Sequence, residues 1–138
     1  MEESNKKSII DTYYNETYDI YLVVANKYAT LEELQELYVY STGEELDDRI
    51  LSGAATTSTC YNKKTGAMVS LVKYNTDVRH SDLDKKLTFI NTCSHEATHV
   101  ALDIYEVINQ TICNCSPEPF CYLQGWATQC IYKTWTKK

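Results

Sequence analysis

Five consecutive residues, His95-Glu96-Ala97-Thr98-His99, put two imidazoles and a carboxylate within reach of one another. On a helix, positions i and i+4 lie on nearly the same face, one turn apart, so both rings can meet one metal ion at about 2.0–2.1 Å. Glu96 flanks that face without being needed as a ligand. Zinc lowers the pKa of the water it binds to about 7, and a neighbouring carboxylate can take the proton as the water attacks a carbonyl. The chemistry these residue types suit is hydrolysis of amide bonds.

Catalytic zinc usually has three protein ligands, and this pair supplies two. Glu118 is the expected third, in the first turn of a helix that can fold back antiparallel on the first. Gly125, two turns further on, is expected to let the two helices approach closely. Asp103, one turn past His99, is placed to accept the spare imidazole N–H. Zn2+ is the expected cofactor, although His and carboxylate ligands also suit manganese, iron or cobalt. Plainer readings compete. The histidines can be solvated polar residues of a surface helix, Glu118 a carboxylate favoured by the helix dipole, and Asp103 an ordinary exposed acid.

Six cysteines, at 60, 93, 113, 115, 121 and 130, are an even count in a short chain, the pattern of a disulfide scaffold. No export signal is visible in the charged start Met1-Glu2-Glu3-Ser4-Asn5-Lys6-Lys7, so reduced thiols are expected. On that view the glycosylation patterns at Asn15, Asn109 and Asn114 carry no meaning. Cys113 and Cys115 with Cys121 and Cys130 contain no C-x2-C knuckle, which argues against a structural zinc on sulfur. Cys93, Cys121 and Cys130 read as buried small hydrophobes. Nothing near Cys60 would orient it as a nucleophile.

The elements that must position the site follow from pattern. Residues 1–15 are polar and expected to be frayed. Residues 18–24 (Tyr-Asp-Ile-Tyr-Leu-Val-Val) read as a buried strand. Thr30-Leu31-Glu32-Glu33 is a capping box, and Leu31, Leu34, Leu37 and Tyr38 recur at helical spacing, predicting a helix over 31–40. Residues 41–53 are acidic and ambiguous. Runs 56–61 and 67–74 flank Asn62-Lys63-Lys64-Thr65-Gly66 and predict an antiparallel hairpin. Ser81 with Asp84 opens a long helix over about 82–109, and Ser116-Pro117 supplies an N-cap and first residue for a last helix ending near Thr134. The fold class is therefore α+β: a small antiparallel sheet with one helix, packed on a two-helix metal-binding half. One domain spans 1–138, its sheet-forming half at 16–80 and its helical half at 81–138.

A formal charge of −6 and only scattered Lys pairs disfavour nucleic acid and anionic membrane as partners. No run of apolar residues is long enough to span a membrane. Trp126 and Trp135 near the C-terminus leave self-association open.

His95-Glu96-x-x-His99 followed by Glu118 resembles the gluzincin branch of zinc metallopeptidases, whose third ligand is a glutamate on the following helix. His95-Glu96-Ala97-Thr98-His99 with Glu118-Pro119-Phe120-Cys121-Tyr122-Leu123-Gln124-Gly125-Trp126 is similar to small phage and prophage proteins carrying a His-Glu-Ala-x-His helix and a Glu-x-x-x-Tyr-Leu-x-Gly-Trp helix. Ala55-Thr56-Thr57 and the Lys64-Thr65-Gly66 hairpin fit the same layout, so the resemblance covers roughly residues 55–135. It implies a minimal zincin-like core with His95, His99 and Glu118 as ligands, Glu96 as general base, and a protein or peptide substrate. It also implies that substrate adds to an edge strand, for which residues Ala67, Met68, Val69, Ser70 and Leu71 are the candidate. Larger members stabilise the oxyanion with an extra Tyr or His from a separate subdomain. Here only His80, Tyr105 and Tyr122 are candidates. The expected setting is the host cytoplasm or the phage virion, not secretion. Two other roles stay open: a virion or assembly component that keeps the fold without proteolysis, and an adaptor or inhibitor of host proteins.

Overall fold

Strand-forming residues dominate the first half of the chain, and they build one five-stranded sheet. Its strands are β1 (Ile10–Asn15), β2 (Ile20–Ala25), β3 (Tyr38–Tyr40), β4 (Ala55–Asn62) and β5 (Met68–Tyr74), in the spatial order β1-β2-β5-β4-β3. The structure is a computed structural model and describes residues 6–76 and 83–137. Helix α1 (Leu31–Leu37) and a 3-10 turn (Asp48–Leu51) cover one face; α2 (Leu83–Val107) and α3 (Glu118–Trp135) cover the other. The chain is α+β, as its pattern predicts.

The sheet is mixed where an antiparallel one was expected. β2 and β5 pair in parallel, Val23 opposite Leu71, while all other neighbours run antiparallel. The reason is connectivity. The chain leaves β2, crosses through α1 to the far edge, and meanders back through β3 and β4, so β5 arrives beside β2 in the same direction.

Alternation along the strands separates two cores. Ile20, Leu22 and Val24 of β2, with Val72 and Tyr74 of β5, face the α2–α3 pair. Val23, Ala25, Val69 and Leu71 face α1 with Leu34, Leu46 and Ile50. The hairpin forms as expected: Asn62 Oδ1 accepts from Lys64 N and Thr65 N, and Gly66 takes φ +71°, a conformation that favours glycine. The capping box at α1 is also present, with Thr30 Oγ1 accepting from Glu33 N and Glu33 Oε1 accepting from Thr30 N.

Several boundaries move. Residues 10–15, expected to be frayed, form edge strand β1. Its Tyr13 hydroxyl meets Thr134 Oγ1 at 2.6 Å, and Asp11 accepts from Lys137 Nζ at 2.7 Å, which ties the N-terminal strand to the end of α3. Helix α1 stops at Leu37 rather than 40, because Tyr38-Val39-Tyr40 pairs with β4 instead. The strand expected at 18–24 begins at Ile20, after a turn in which Asp19 has φ +52°. Ser116 does not cap α3; Pro117 is its N-cap, and no side chain caps it. The expected cap at Ser81 lies outside the described residues. Trp135 is a core residue, 1 % exposed, with its indole N–H donating to Ala25 O. Gly125 does not serve close helix packing, since a Cβ there would meet open space. The small residue in the buried α3 face is Ala127, flanked by Leu123, Cys130 and Ile131.

The cysteines divide. Cys60, Cys93 and Cys130 are buried and free, as small hydrophobes. Cys121 is free but exposed, against expectation, because it points away from the Leu123–Ala127 stripe. Cys113 and Cys115 are joined by a disulfide rather than reduced; both lie in the α2–α3 loop with Cα atoms 5.3 Å apart, within bonding reach. Among the described residues, no helix is long and apolar enough to cross a membrane.

Candidate metal centre

Helix α2 is the positioning element. It runs for 25 residues, and Phe89, Cys93, Ala97, Val100, Ala101 and Ile104 form the apolar stripe that docks on the sheet. Its rotation, set by that stripe, puts His95 and His99 at the open margin of the stripe and Glu96 just inside it. The His95 side chain is 63 % exposed and that of Glu96 5 %.

The two histidines converge. Their Nε2 atoms stand 3.2 Å apart, with ring centroids at 4.9 Å. Two nitrogens each about 2.0–2.1 Å from one tetrahedral ion stand roughly 3.3–3.4 Å apart, so the pair already has the spacing of two ligands on one metal. Without an ion, one ring can donate to the other at this distance.

Glu96 is a buried carboxylate with a defined partner. Thr57 of β4 donates from Oγ1 to Glu96 Oε2 at 2.5 Å, while Oε1 lies 3.9 Å from His95 Nε2. A buried carboxylate needs such a donor. One oxygen is thus anchored to the sheet, and the other faces the histidines. A cleft of about 270 Å³ opens beside it, lined by Ala54, Ala55, Thr88, Asn91, Thr92, His95 and Glu96.

Asp103 does not bond His99 in the arrangement expected from spacing. Its Oδ2 accepts from Ser70 Oγ at 3.2 Å, and the Thr59 hydroxyl also bonds it. Burial raises its pKa, opposed by those two hydroxyls and by the charge of His99 nearby. Glu96 and Asp103, seven residues apart on one face of α2, thus meet Thr57 and Thr59, two apart on one face of β4. The polar seam between helix and sheet was not read from sequence. Its signal was present in the four consecutive hydroxyl residues Thr56-Thr57-Ser58-Thr59, of which a strand turns every second one, Thr57 and Thr59, to the same face.

Glu118 stands exposed in the first turn of α3. The α3 residue that reaches the histidine turn is Gln124, whose Nε2 lies 3.2 Å from Ser94 Oγ, while Phe120 packs edge-on against Tyr105. Among the described residues, no three His, Cys, Asp or Glu side chains form a group ready to hold an ion. Of the oxyanion candidates, Tyr105 is buried against Phe120, Tyr122 is 74 % exposed, and His80 lies outside the described residues.

The expected substrate edge is corrected. Residues 67–71 belong largely to β5, an interior strand paired with β2 on one side and β4 on the other, so its backbone has no free edge to offer. Among the described residues, the strand beside the cleft with an unpaired side is β4. β3 pairs only with Cys60–Asn62 of it, and Ser41 N adds one bond to Thr59 O, leaving 55–58 beyond the reach of β3.

Comparison with protein-family models, with curated proteins and with solved structures finds no match to this chain.

Proposed function

We propose that this chain is a zinc-dependent hydrolase that cleaves peptide bonds, as its resemblance to gluzincins implies. The observation that carries the reading is the 3.2 Å approach of the His95 and His99 Nε2 atoms beside a buried Glu96. His95 and His99 would hold the ion; the resemblance gives Glu118 as the third ligand, but it stands exposed in the first turn of α3, while Gln124 is the α3 residue at the histidine turn. Two imidazoles and a carboxylate form a donor set suited to zinc. Zinc bound there would supply Lewis acidity, polarising a carbonyl and making water acidic enough to attack near neutral pH.

The remaining roles fall to the chain's own side chains. Glu96 takes the proton of the attacking water and passes it to the leaving amine. Thr57 holds Oε2, so that Oε1 is the oxygen turned toward His95. An extended substrate segment lies along the open side of β4 at 55–58, above the cleft at Ala54 and Ala55.

The test is hydrolysis of a fluorogenic peptide library by zinc-loaded protein, wild type beside Glu96→Gln. Cleavage lost in the variant with zinc retained supports the mechanism; equal cleavage by both contradicts it. A second reading, a virion or assembly component that keeps the fold for binding, is favoured by the packing of Tyr105 against Phe120 rather than toward the histidines. Zinc binding with no cleavage of any library member would favour that reading.

A further inference from the structure

The disulfide between Cys113 and Cys115 lies in the loop between α2 and α3, with Asn114 alone between its ends. A bridge stabilises a fold by closing a loop of the unfolded chain, and the shorter the loop, the smaller the effect. This one closes a very short loop and joins no two elements of secondary structure. As a staple it does little, and both its residues are exposed.

Two further features suit exchange rather than bracing. The Cys115 backbone N–H donates to Cys113 Sγ at 3.3 Å, which favours Cys113 as a departing thiolate. Cys113 also lines a cleft of about 370 Å³ with Tyr18, Tyr105, Gln110 and Pro119, while Cys115 stands outside that lining, exposed to an incoming group from solvent. The three buried thiols contrast with this. Burial pushes the Cys60 and Cys93 thiols up to about 12 and that of Cys130 to about 11, leaving them inert.

We infer that Cys113 and Cys115 form a redox-active pair that accepts two electrons from a dithiol. A thiolate of the dithiol attacks Cys115 Sγ, and the S–S bond breaks with its electron pair leaving on Cys113 Sγ, which the Cys115 N–H stabilises. The second thiolate of the dithiol then attacks its own partner sulfur in the mixed disulfide and releases Cys115 as a thiolate. The dithiol ends as a disulfide, and the two protons it loses balance the two that Cys113 and Cys115 take up. The inference is independent of the metal centre.

The test counts reactive thiols in the folded full-length chain before and after a dithiol, with dithiothreitol as the small probe and reduced thioredoxin as the protein probe. The expected count rises from one, Cys121, to three, and returns to one with oxidised dithiothreitol. Cys121→Ser should show none rising to two. A Cys113→Ser/Cys115→Ser variant should stay at one and melt at the wild-type temperature. Reduction at least tenfold faster by thioredoxin than by dithiothreitol at equal concentration assigns a protein dithiol as partner; equal rates assign a small one. A pair that opens only when the chain unfolds, thiols that excess oxidised dithiothreitol cannot close, or a double variant that melts well below wild type would each overturn the inference.

Discussion

Thr57 and Glu96, 39 positions apart in the chain, share a hydrogen bond of 2.5 Å that anchors the one buried carboxylate of the histidine turn to the sheet. A strand hydroxyl and a helix carboxylate are each unremarkable alone. Together they fix which oxygen of Glu96 faces His95.

Removing the donor should therefore be felt. Thr57→Val leaves a buried carboxylate short of a partner and is expected to cost about 1–3 kcal/mol in urea unfolding. Thr57→Ser should recover most of it. In a double-mutant cycle with Glu96→Ala, the two losses should be clearly less than additive. Full additivity would mean the bond does not matter to stability.

The His95–Glu96–His99 cluster and the helices bearing it were legible because a 3.6-residue period and an i, i+4 pair are local features. The β4–β5 hairpin was legible for the same reason, through Asn62 and Gly66. What could not be read is set by partners distant in sequence. Tyr38-Val39-Tyr40 continues a helical pattern until β4 offers it backbone bonds. Residues 10–15 look like a polar tail until β2 pairs with them. The interior place of β5 depends on the path of the chain across the sheet, and no spacing within 67–74 encodes it. The anchoring role of Thr57 is not encoded in its own segment, because it comes from Glu96, 39 positions away.

Asn26 is a second buried polar anchor. Its Oδ1 accepts from Ile9 N, Tyr28 N and Ala29 N, and its Nδ2 donates to Lys7 O, which fastens the N-terminal segment to the β2–α1 turn. Asn26→Ala is expected to cost about 2–3 kcal/mol, since it strands several backbone groups at once. Thermal unfolding and amide exchange at Ile9 and Ala29 check this; unchanged protection at both would contradict it.

Lys73 is 2 % exposed, and its ammonium donates to the carbonyls of Lys27 and Tyr74 and to Asn75 Oδ1. Burial, then the charge of Lys27, pulls its pKa down to about 8 from 10.5. Between those values the unfolded chain binds more protons than the folded one, so the stability from this group rises with pH across that window. It is lost as pH falls through about 8. Relative to Lys73→Met, the wild type should gain on the order of 2 kcal/mol in unfolding free energy between pH 7.5 and 10. A difference that does not change with pH would contradict the assignment.

The most direct measurement for the central claim is metal content by elemental analysis after zinc loading and extensive dialysis. It compares wild type, Glu96→Gln, His95→Ala and His99→Ala, all checked for folding by circular dichroism. The account predicts one zinc per chain in wild type and Glu96→Gln, and none in either histidine variant. No zinc in the wild type, or equal zinc in all four proteins, would contradict a metal centre at His95 and His99.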